Sequence, residues 1–343
     1  MLRIPYQELF DTLLRVLMKL GFEPERARRC AQLFADSSRD GVYSHGLNRF
    51  PRFVSQVQNG IINIHAQPEL VAASGALERW DGKLGPGPLN AYQSMERAMA
   101  LSREHGMGCV ALANTTHWMR GGSYGWQAAE AGFIAICWTN TLPNLPPWGA
   151  SDSRIGNNPL VIAVPRSGGH IVLDMAMSQF SYGALASYRM RGEQLPVDGG
   201  FDREGRLSRD PAAIEASNRP LPIGYWKGSG LALMLDMIAT LLSGGCATYQ
   251  IPPDPERESH LSQVFIALNP YSLYKTGHNN TGPDQPDVAA KIADEIIAHF
   301  QTSPQPGDAK VRYPGEQVVK IRGENLAKGI PVEPSIWNKV LAM

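Results

Sequence analysis

Between Pro5 and Gly21, Leu9, Leu13, Val16, Leu17 and Leu20 recur at the spacing that puts side chains on one face of a helix. Proline opens that run and glycine stands just past it, the order in which helices start and stop. A second run, carrying Ala27, Cys30, Ala31 and Phe34, predicts a second helix. From Pro68 the pattern breaks into short apolar stretches at Leu70–Ala72, Cys109–Ala113, Ile134–Trp138, Leu160–Val164, Ile171–Leu173 and Val264–Leu268, which read as buried strands. Helical patterns at Leu89–Arg103, Ser123–Ala131, Gln179–Arg191 and Ser229–Leu242 lie between several of them, as in layered α/β proteins. Helical texture then returns. Asp287–Phe300 sets Val288, Ile292, Ile296 and Phe300 on one face behind an Asp287 cap, and Glu316–Ala327 runs up to Gly329. The proline- and glycine-bearing segments Ile251–Ser259 and Asn279–Pro286 read as surface loops. The expectation is an α/β protein with helical N- and C-terminal segments. A mainly helical unit of 1–67 with 285–343 would accompany an α/β unit of 68–284 that binds cofactor and substrate.

Composition narrows the partners. Lys plus Arg number 32 and so do Asp plus Glu, so no net field draws the molecule to nucleic acid or an anionic membrane. Recognition of charge must be local. Cys30, Cys109, Cys137 and Cys246 are far apart and form no CxxC, which fits reduced thiols in the cytoplasm better than a disulfide framework or a zinc site. Neither the charged N-terminus nor any later segment reaches the apolar length of a membrane span.

Familiar ligand motifs fail one by one. The nearest approach to the dinucleotide fingerprint GxGxxG, Gly228-Ser229-Gly230-Leu231-Ala232-Leu233, has leucine where the last glycine should let helix and strand approach, so an ordinary Rossmann domain is not expected. Neither a Walker A sequence nor an HExxH pair is present, and no metal site is expected. Gly121-Gly122-Ser123-Tyr124-Gly125 does match GxSxG, the turn that carries a hydrolase serine. That motif requires a strand ending at the serine, whereas Cys109–Ala113 ends well before Ser123. A serine hydrolase on Ser123, or a binding protein without turnover, remains as the remote alternative.

Gly41-Val42-Tyr43-Ser44-His45-Gly46 is polar and glycine-bearing, yet lies between strongly apolar helical stretches. With Gly46–Val57 helical, His45 and Arg49 share a face on neighbouring turns. Reducing a 2-keto acid needs a proton for the developing alkoxide and a fixed cation for the carboxylate. An imidazole titrating near about 6.5 suits the first, and a guanidinium fork the second. The same spacing fits a helix-capping histidine and a solvated arginine equally well. His117 follows the strand Cys109–Ala113, and Asn140 the strand Ile134–Trp138, at strand ends where α/β ligands collect. Asp174 closes the strand Ile171–Leu173 with a carboxylate suited to ribose hydroxyls, and Trp226-Lys227 precede the glycines of a helix start suited to pyrophosphate. Each also reads as an ordinary loop, turn or cap residue.

Gly41-Val42-Tyr43-Ser44-His45-Gly46, His117-Trp118-Met119-Arg120-Gly121-Gly122-Ser123-Tyr124-Gly125, Pro146-Pro147-Trp148-Gly149-Ala150, Leu195-Pro196-Val197-Asp198-Gly199-Gly200 and Gly224-Tyr225-Trp226-Lys227-Gly228 together resemble the malate/L-lactate dehydrogenases that bind NAD(P) without a Rossmann fold. The likeness runs over nearly the whole chain. It implies a non-Rossmann mixed-sheet oxidoreductase with His45 as proton donor and with Arg49 and His117 around the substrate, where Ser44 and the strand-end Asn140 are further candidates. It further implies cofactor contacts from His170, Ile171, Val172, Leu173, Asp174, Met175 and Ala176, from Trp226 and Lys227, and from Gly315, Glu316 and Gln317. The cofactor so implied is NADH, with NADPH as the alternative, and the assembly is a homodimer. The substrate is expected to be a sugar-derived 2-keto acid. Malate, lactate, ureidoglycolate or a cyclic imino acid are the alternatives within the family. Trp118, Met119 and Arg120 stand where they could discriminate among these. The chain departs from the pattern at Asn157, where relatives usually carry threonine, in the loop Arg166–His170, and through Gly244–Arg312.

Overall fold

A computed structural model describes residues 2–272, 286–304, 307 and 310–343, with side chains of the helix that begins at Pro286 described from 290 on. The loop expected at 279–285 and the Asp287 side chain lie outside these residues. Strand β1 (Leu2–Ile4) leads into α1 (Tyr6–Lys19) and α2 (Pro24–Arg39). Leu9, Leu13, Val16 and Leu17 of α1 are 0–2% exposed against Ala27, Cys30, Ala31 and Phe34 of α2, so the two apolar stripes form one core. The Glu23 carboxylate accepts the Arg26 amide, and Pro24 occupies the first turn, which fixes the start of α2. Helix α3 (Phe50–Gln58) adds Phe50 and Phe53 to this core. From the far end of the sequence come β11 (Ile330–Val332), paired antiparallel with β1, and α11 (Pro334–Leu341).

The sheet begins with β2 (Glu69–Ser74) and β3 (Leu77–Asp81), followed by α4 (Gly87–His105), β4 (Met107–Thr116), α5 (Gly122–Glu130) and β5 (Ile134–Thr139). Next are β6 (Leu160–Val164), β7 (Ile171–Met175), α6 (Tyr182–Arg191), a small hairpin of β8 (Gly200–Phe201) and β9 (Leu207–Ser208), and α7 (Pro211–Ser217). Helix α8 (Trp226–Ser243), β10 (Ser259–Leu268), α9 (Pro286–Gln301) and α10 (Glu316–Lys328) complete the order. Among the described residues seven strands form one sheet, β2-β3-β4-β10-β5-β6-β7. Only β3 and β4 run parallel, joined by the α4 crossover. This mixed, largely antiparallel sheet is not a Rossmann sheet, whose strands run parallel.

Strand β10 sits centrally, with Val264 opposite both Ala111 and Trp138, and is buried on both faces. Helices α4 and α5 cover one face through Met95, Ala98, Ala128 and Ala129 against Val110, Leu112, Phe265 and Val161. The other face receives Ala232, Leu235 and Ala239 of α8 against Ala111, Trp138 and Val264, and the Trp138 indole donates to the Leu235 carbonyl at 2.9 Å. The outer side of α8 is also apolar and open to solvent: Leu233, Met234, Met237 and Leu241 are 48, 49, 46 and 77% exposed. All four cysteines are free thiols. Among the described residues no helix is long and apolar enough to cross a membrane.

Candidate active site

The stretch expected to carry His45 and Arg49 on one helix does not do so. Gly46, at φ −102° and ψ −126°, interrupts it, leaving two single 3-10 turns, Tyr43–His45 and Leu47–Arg49, before α3 begins. This double turn is fastened to α2: the Ser38 hydroxyl accepts the Leu47 amide at 2.8 Å and donates to the Phe34 carbonyl. A Cβ at Gly46 would run into Ser38 Oγ and come within 3.0 Å of Phe34 O, so the close seat of the His45 turn on α2 requires glycine.

His117 arrives from the end of β4. Its ring lies 5.9 Å from that of His45, centroid to centroid, with 23° between the planes. The Met119 amide donates to His117 Nδ1 at 2.9 Å, which leaves the ring proton of neutral His117 on Nε2. Met119 adopts φ +67° to make that bond, an unusual conformation for a side chain of this kind. His45 Nδ1 lies 3.0 Å from Ser44 Oγ. Burial first, then the charges of Arg49 and Arg120, push the His45 imidazole down to about 3. Burial, Arg49 and His45 likewise hold His117 well below the ordinary range. Both rings are therefore neutral near pH 7 in the protein alone.

A cavity of about 550 Å³ opens onto this pair. Ser44, His45, His117 and Arg120 line it, joined by Thr141, Asn157 and Ser181. Further along, the wall is Val172, Leu173, Asp174 and Ala176 of β7 with its exit, facing Arg312, Tyr313, Pro314, Gly315 and Val318. The two segments expected to touch cofactor thus meet: the Val172 amide donates to the Pro314 carbonyl at 3.0 Å. Gly315, at φ +94°, rests so closely on β7 that a Cβ there would lie 3.0 Å from Val172 N. Asp174 lies open to the cavity and accepts the Gly122 amide at 2.8 Å.

Other expected residues fall elsewhere. Asn140 is fully buried and its amide is spent inside the protein, donating to Asp236 and the Cys246 carbonyl and accepting from Ser262 N. It ties β5 to α8 and β10 and does not reach the cavity. Arg49 lies within electrostatic reach of both imidazoles and of buried Glu258, and outside the cavity wall. His170, Ile171, Met175, Glu316 and Gln317 flank the wall without lining it, and the His170 Nδ1 accepts the Arg166 amide. Trp226 and Lys227 lie at the exposed start of α8 and do not line this cavity. Ser123 sits in the first turn of α5, six residues beyond His117, so the strand-to-serine turn of a hydrolase is not formed. Thr141, Ser181, Arg312 and Tyr313 carry no signal in the sequence because each sits in a loop with no motif, and only tertiary contact gathers them.

The family model described as malate/L-lactate dehydrogenase matches residues 4–341. The chain is 46% identical to the 2,3-diketo-L-gulonate reductase of Escherichia coli K12 over 344 residues, covering all of both chains. It is also similar to two solved structures. Sulfolactate dehydrogenase from Methanocaldococcus jannaschii superposes with a TM-score of 0.88 at 27% identity, over 99% of this chain and 95% of that one. Delta1-piperideine-2-carboxylate reductase from Pseudomonas syringae superposes with a TM-score of 0.85 at 26% identity, over 100% and 99%. The chain belongs to the malate/L-lactate dehydrogenase family and is an NAD(P)-dependent oxidoreductase of hydroxy and keto acids.

Proposed function

We propose that this enzyme reduces the 2-keto group of 2,3-diketo-L-gulonate to 3-dehydro-L-gulonate, with NADH as reductant and His45 as proton donor. The stacked His45–His117 pair carries the reading, because it faces one cavity together with β7 and the Pro314–Gly315 turn. Full-length similarity to an enzyme named for that reaction supports the choice of substrate. The far wall suits a dinucleotide: Val172, Leu173 and Val318 offer apolar surface, Arg312 a cation, and buried Trp126 Nε1 a donor without a partner among the described residues. An acid at Asp174 favours a ribose hydroxyl over a 2′-phosphate, hence NADH over NADPH. When bound, NADH supplies the hydride to carbon 2.

His45 then delivers its proton to the carbon 2 oxygen, and His117, with Nε2–H free, donates a hydrogen bond alongside it. The cations that lower the His45 proton affinity are the groups a carboxylate would neutralise, so the anionic substrate itself favours the imidazolium. Arg49, outside the cavity wall, is proposed to attract that carboxylate through its charge. Arg49→Met is expected to raise KM by about 10-fold, on the order of one lost charge–charge attraction, with a smaller fall in kcat. An unchanged KM would remove Arg49 from the site.

Ser44, Thr141, Asn157 and Ser181 are the proposed contacts of the sugar hydroxyls. A site that hydrogen-bonds hydroxyls rejects analogues lacking them, because its polar groups are left unpaired. Steady-state assays should therefore give pyruvate and oxaloacetate kcat/KM values at least about 10³-fold below that of 2,3-diketo-L-gulonate. Equal values for either would replace this substrate with malate or lactate. The enzyme is proposed to work in the cytoplasm as a homodimer. Its open apolar α8 face supports the dimer, and there Trp226 and Lys227 would lie beside the subunit contact.

A further inference from the structure

Arg120 is 5% exposed, yet it lines the cavity beside His45 and His117. Among the described residues its one ionic partner is Asp40, whose Oδ2 accepts from Nη1 at 2.7 Å. Asp40 does not need that bond. Arg322 already grips both of its oxygens, at 2.8 Å each, and Arg39 Nε adds a third contact at 2.9 Å. Despite burial, the hydrogen bond from Arg322 and the charge of Arg120 lower this carboxyl to about 2, so it stays ionised. Arg120 Nε is buried with no partner among the described residues. Asp174, on the other side of Gly122, accepts the Gly122 amide and feels the charge of Arg120, yet among the described residues it makes no ion pair with it and keeps an oxygen for the cavity. A buried guanidinium that shares an already satisfied carboxylate leaves positive charge and donor capacity in the cavity wall. Such a group is costly unless a ligand completes it.

We propose that Arg120 is a specificity-determining residue, donating to the carbonyl oxygen next to the one being reduced, with Asp40 as the positioning residue that holds it. The inference rests on the diketo-acid reading above. In a 2,3-diketo acid the carbon 3 carbonyl offers an acceptor that a 3-hydroxy-2-keto acid presents differently. A fixed cation there also draws electron density from carbon 2 and favours hydride addition. Asp40 is well placed to hold it. The residue caps the end of α2 five positions before His45, and through Arg322 it also ties down α10, which begins at the cavity's Gly315 edge. One carboxylate thus sets proton donor, cation and far wall relative to one another.

The test compares wild type, Arg120→Met, Arg120→Lys and Asp40→Asn on 2,3-diketo-L-gulonate and on 2-keto-L-gulonate, which carries a hydroxyl at carbon 3. NADH affinity is read by fluorescence titration and stability by thermal midpoint. The ratio of kcat/KM, diketo over monoketo, is expected to fall about 10- to 100-fold in Arg120→Met, the loss of one charge-assisted contact. Lysine should recover part of it, keeping the charge without the planar fork. Asp40→Asn should shift the ratio in the same direction by less. An unchanged ratio with a lower thermal midpoint would make Arg120 a brace for Asp40, and an unchanged ratio with weaker NADH binding would assign it to the cofactor. Either overturns the proposal while the substrate reading stands. A wild-type enzyme that turns over only the monoketo acid overturns both.

Discussion

Replacing His45 with asparagine is expected to cut turnover by about 10²–10⁴, the usual contribution of a positioned acid, with NADH affinity kept. The effect should be on kcat because the proton is given only as charge develops on the carbonyl oxygen. The pH dependence carries more information. With the His45 imidazole held at about 3 by burial, Arg49 and Arg120, the protonated form that reduction needs is the minority species at neutral pH. The kcat/KM for reduction should therefore fall about tenfold per pH unit from about pH 5 to 8, as free enzyme governs that quantity. Oxidation needs the neutral ring and should be flat over the same range. The residue type alone placed this transition near about 6.5, and the enclosed, cationic setting moves it. A bound carboxylate offsets Arg49, so kcat should begin its decline at higher pH than kcat/KM. In His45→Asn the reduction slope should vanish. If wild-type turnover and slope persisted in that variant, the proton would come from elsewhere.

The second large effect is expected from adding one methyl group at Gly87. This glycine opens α4 directly beneath the His117 turn: a Cβ would collide with the carbonyl oxygens of Thr116 and His117 and lie 2.6 Å from the His117 carbonyl carbon. Backbone cannot rotate out of the way as a side chain can. Overpacking of this kind costs about 1–3 kcal/mol, sometimes more. Relieving it by moving His117 about 1 Å should cost about 10²-fold in kcat/KM. Gly46→Ala should act alike through the His45 turn, where the added Cβ would run into Ser38 Oγ. Gly323, exposed within α10 with nothing within 4 Å of a built Cβ, is the control. Its alanine variant should gain about 0.5–1 kcal/mol from helix propensity. Urea titrations with kinetics on the same samples check all three. A Gly87→Ala enzyme with native stability and rate would mean that the two turns do not depend on this contact.

Much of the scaffold was legible because its apolar periods are long and clean. The stripes of α1 and α2, the Val264–Leu268 half of β10 and the helix read at Ser229–Leu242 follow from spacing alone, although α8 starts earlier, at Trp226, and β10 at Ser259. Strand β3 was not legible: Leu-Glu-Arg-Trp-Asp reads as polar, and its buried Glu78 is acceptable because Arg97 of α4 reaches it at 2.6 Å and the Trp80 indole donates to it at 2.9 Å. The β1–β11 pair joins opposite ends of the sequence, which no local pattern reveals. Within the site, His45 and His117 stood out one by one, but their stacking depends on two turns seated on α2 and α4. Asn140 shows the reverse error. A polar residue at a strand end suggested a ligand contact, whereas three internal hydrogen bonds use it up. Arg120 was already a candidate for discriminating substrates, but its burial and its surplus over Asp40 come only from tertiary contact.

The proposed chemistry adds hydride to carbon 2 of a 2,3-diketo acid while His45 protonates the oxygen. Turnover of 2,3-diketo-L-gulonate with NADH deuterated at the transferred C4 position, followed by nuclear magnetic resonance of the product, tests it most directly. One deuterium, bonded to carbon 2 of 3-dehydro-L-gulonate, is the expected result. Deuterium at carbon 3, or a product without deuterium, would contradict it.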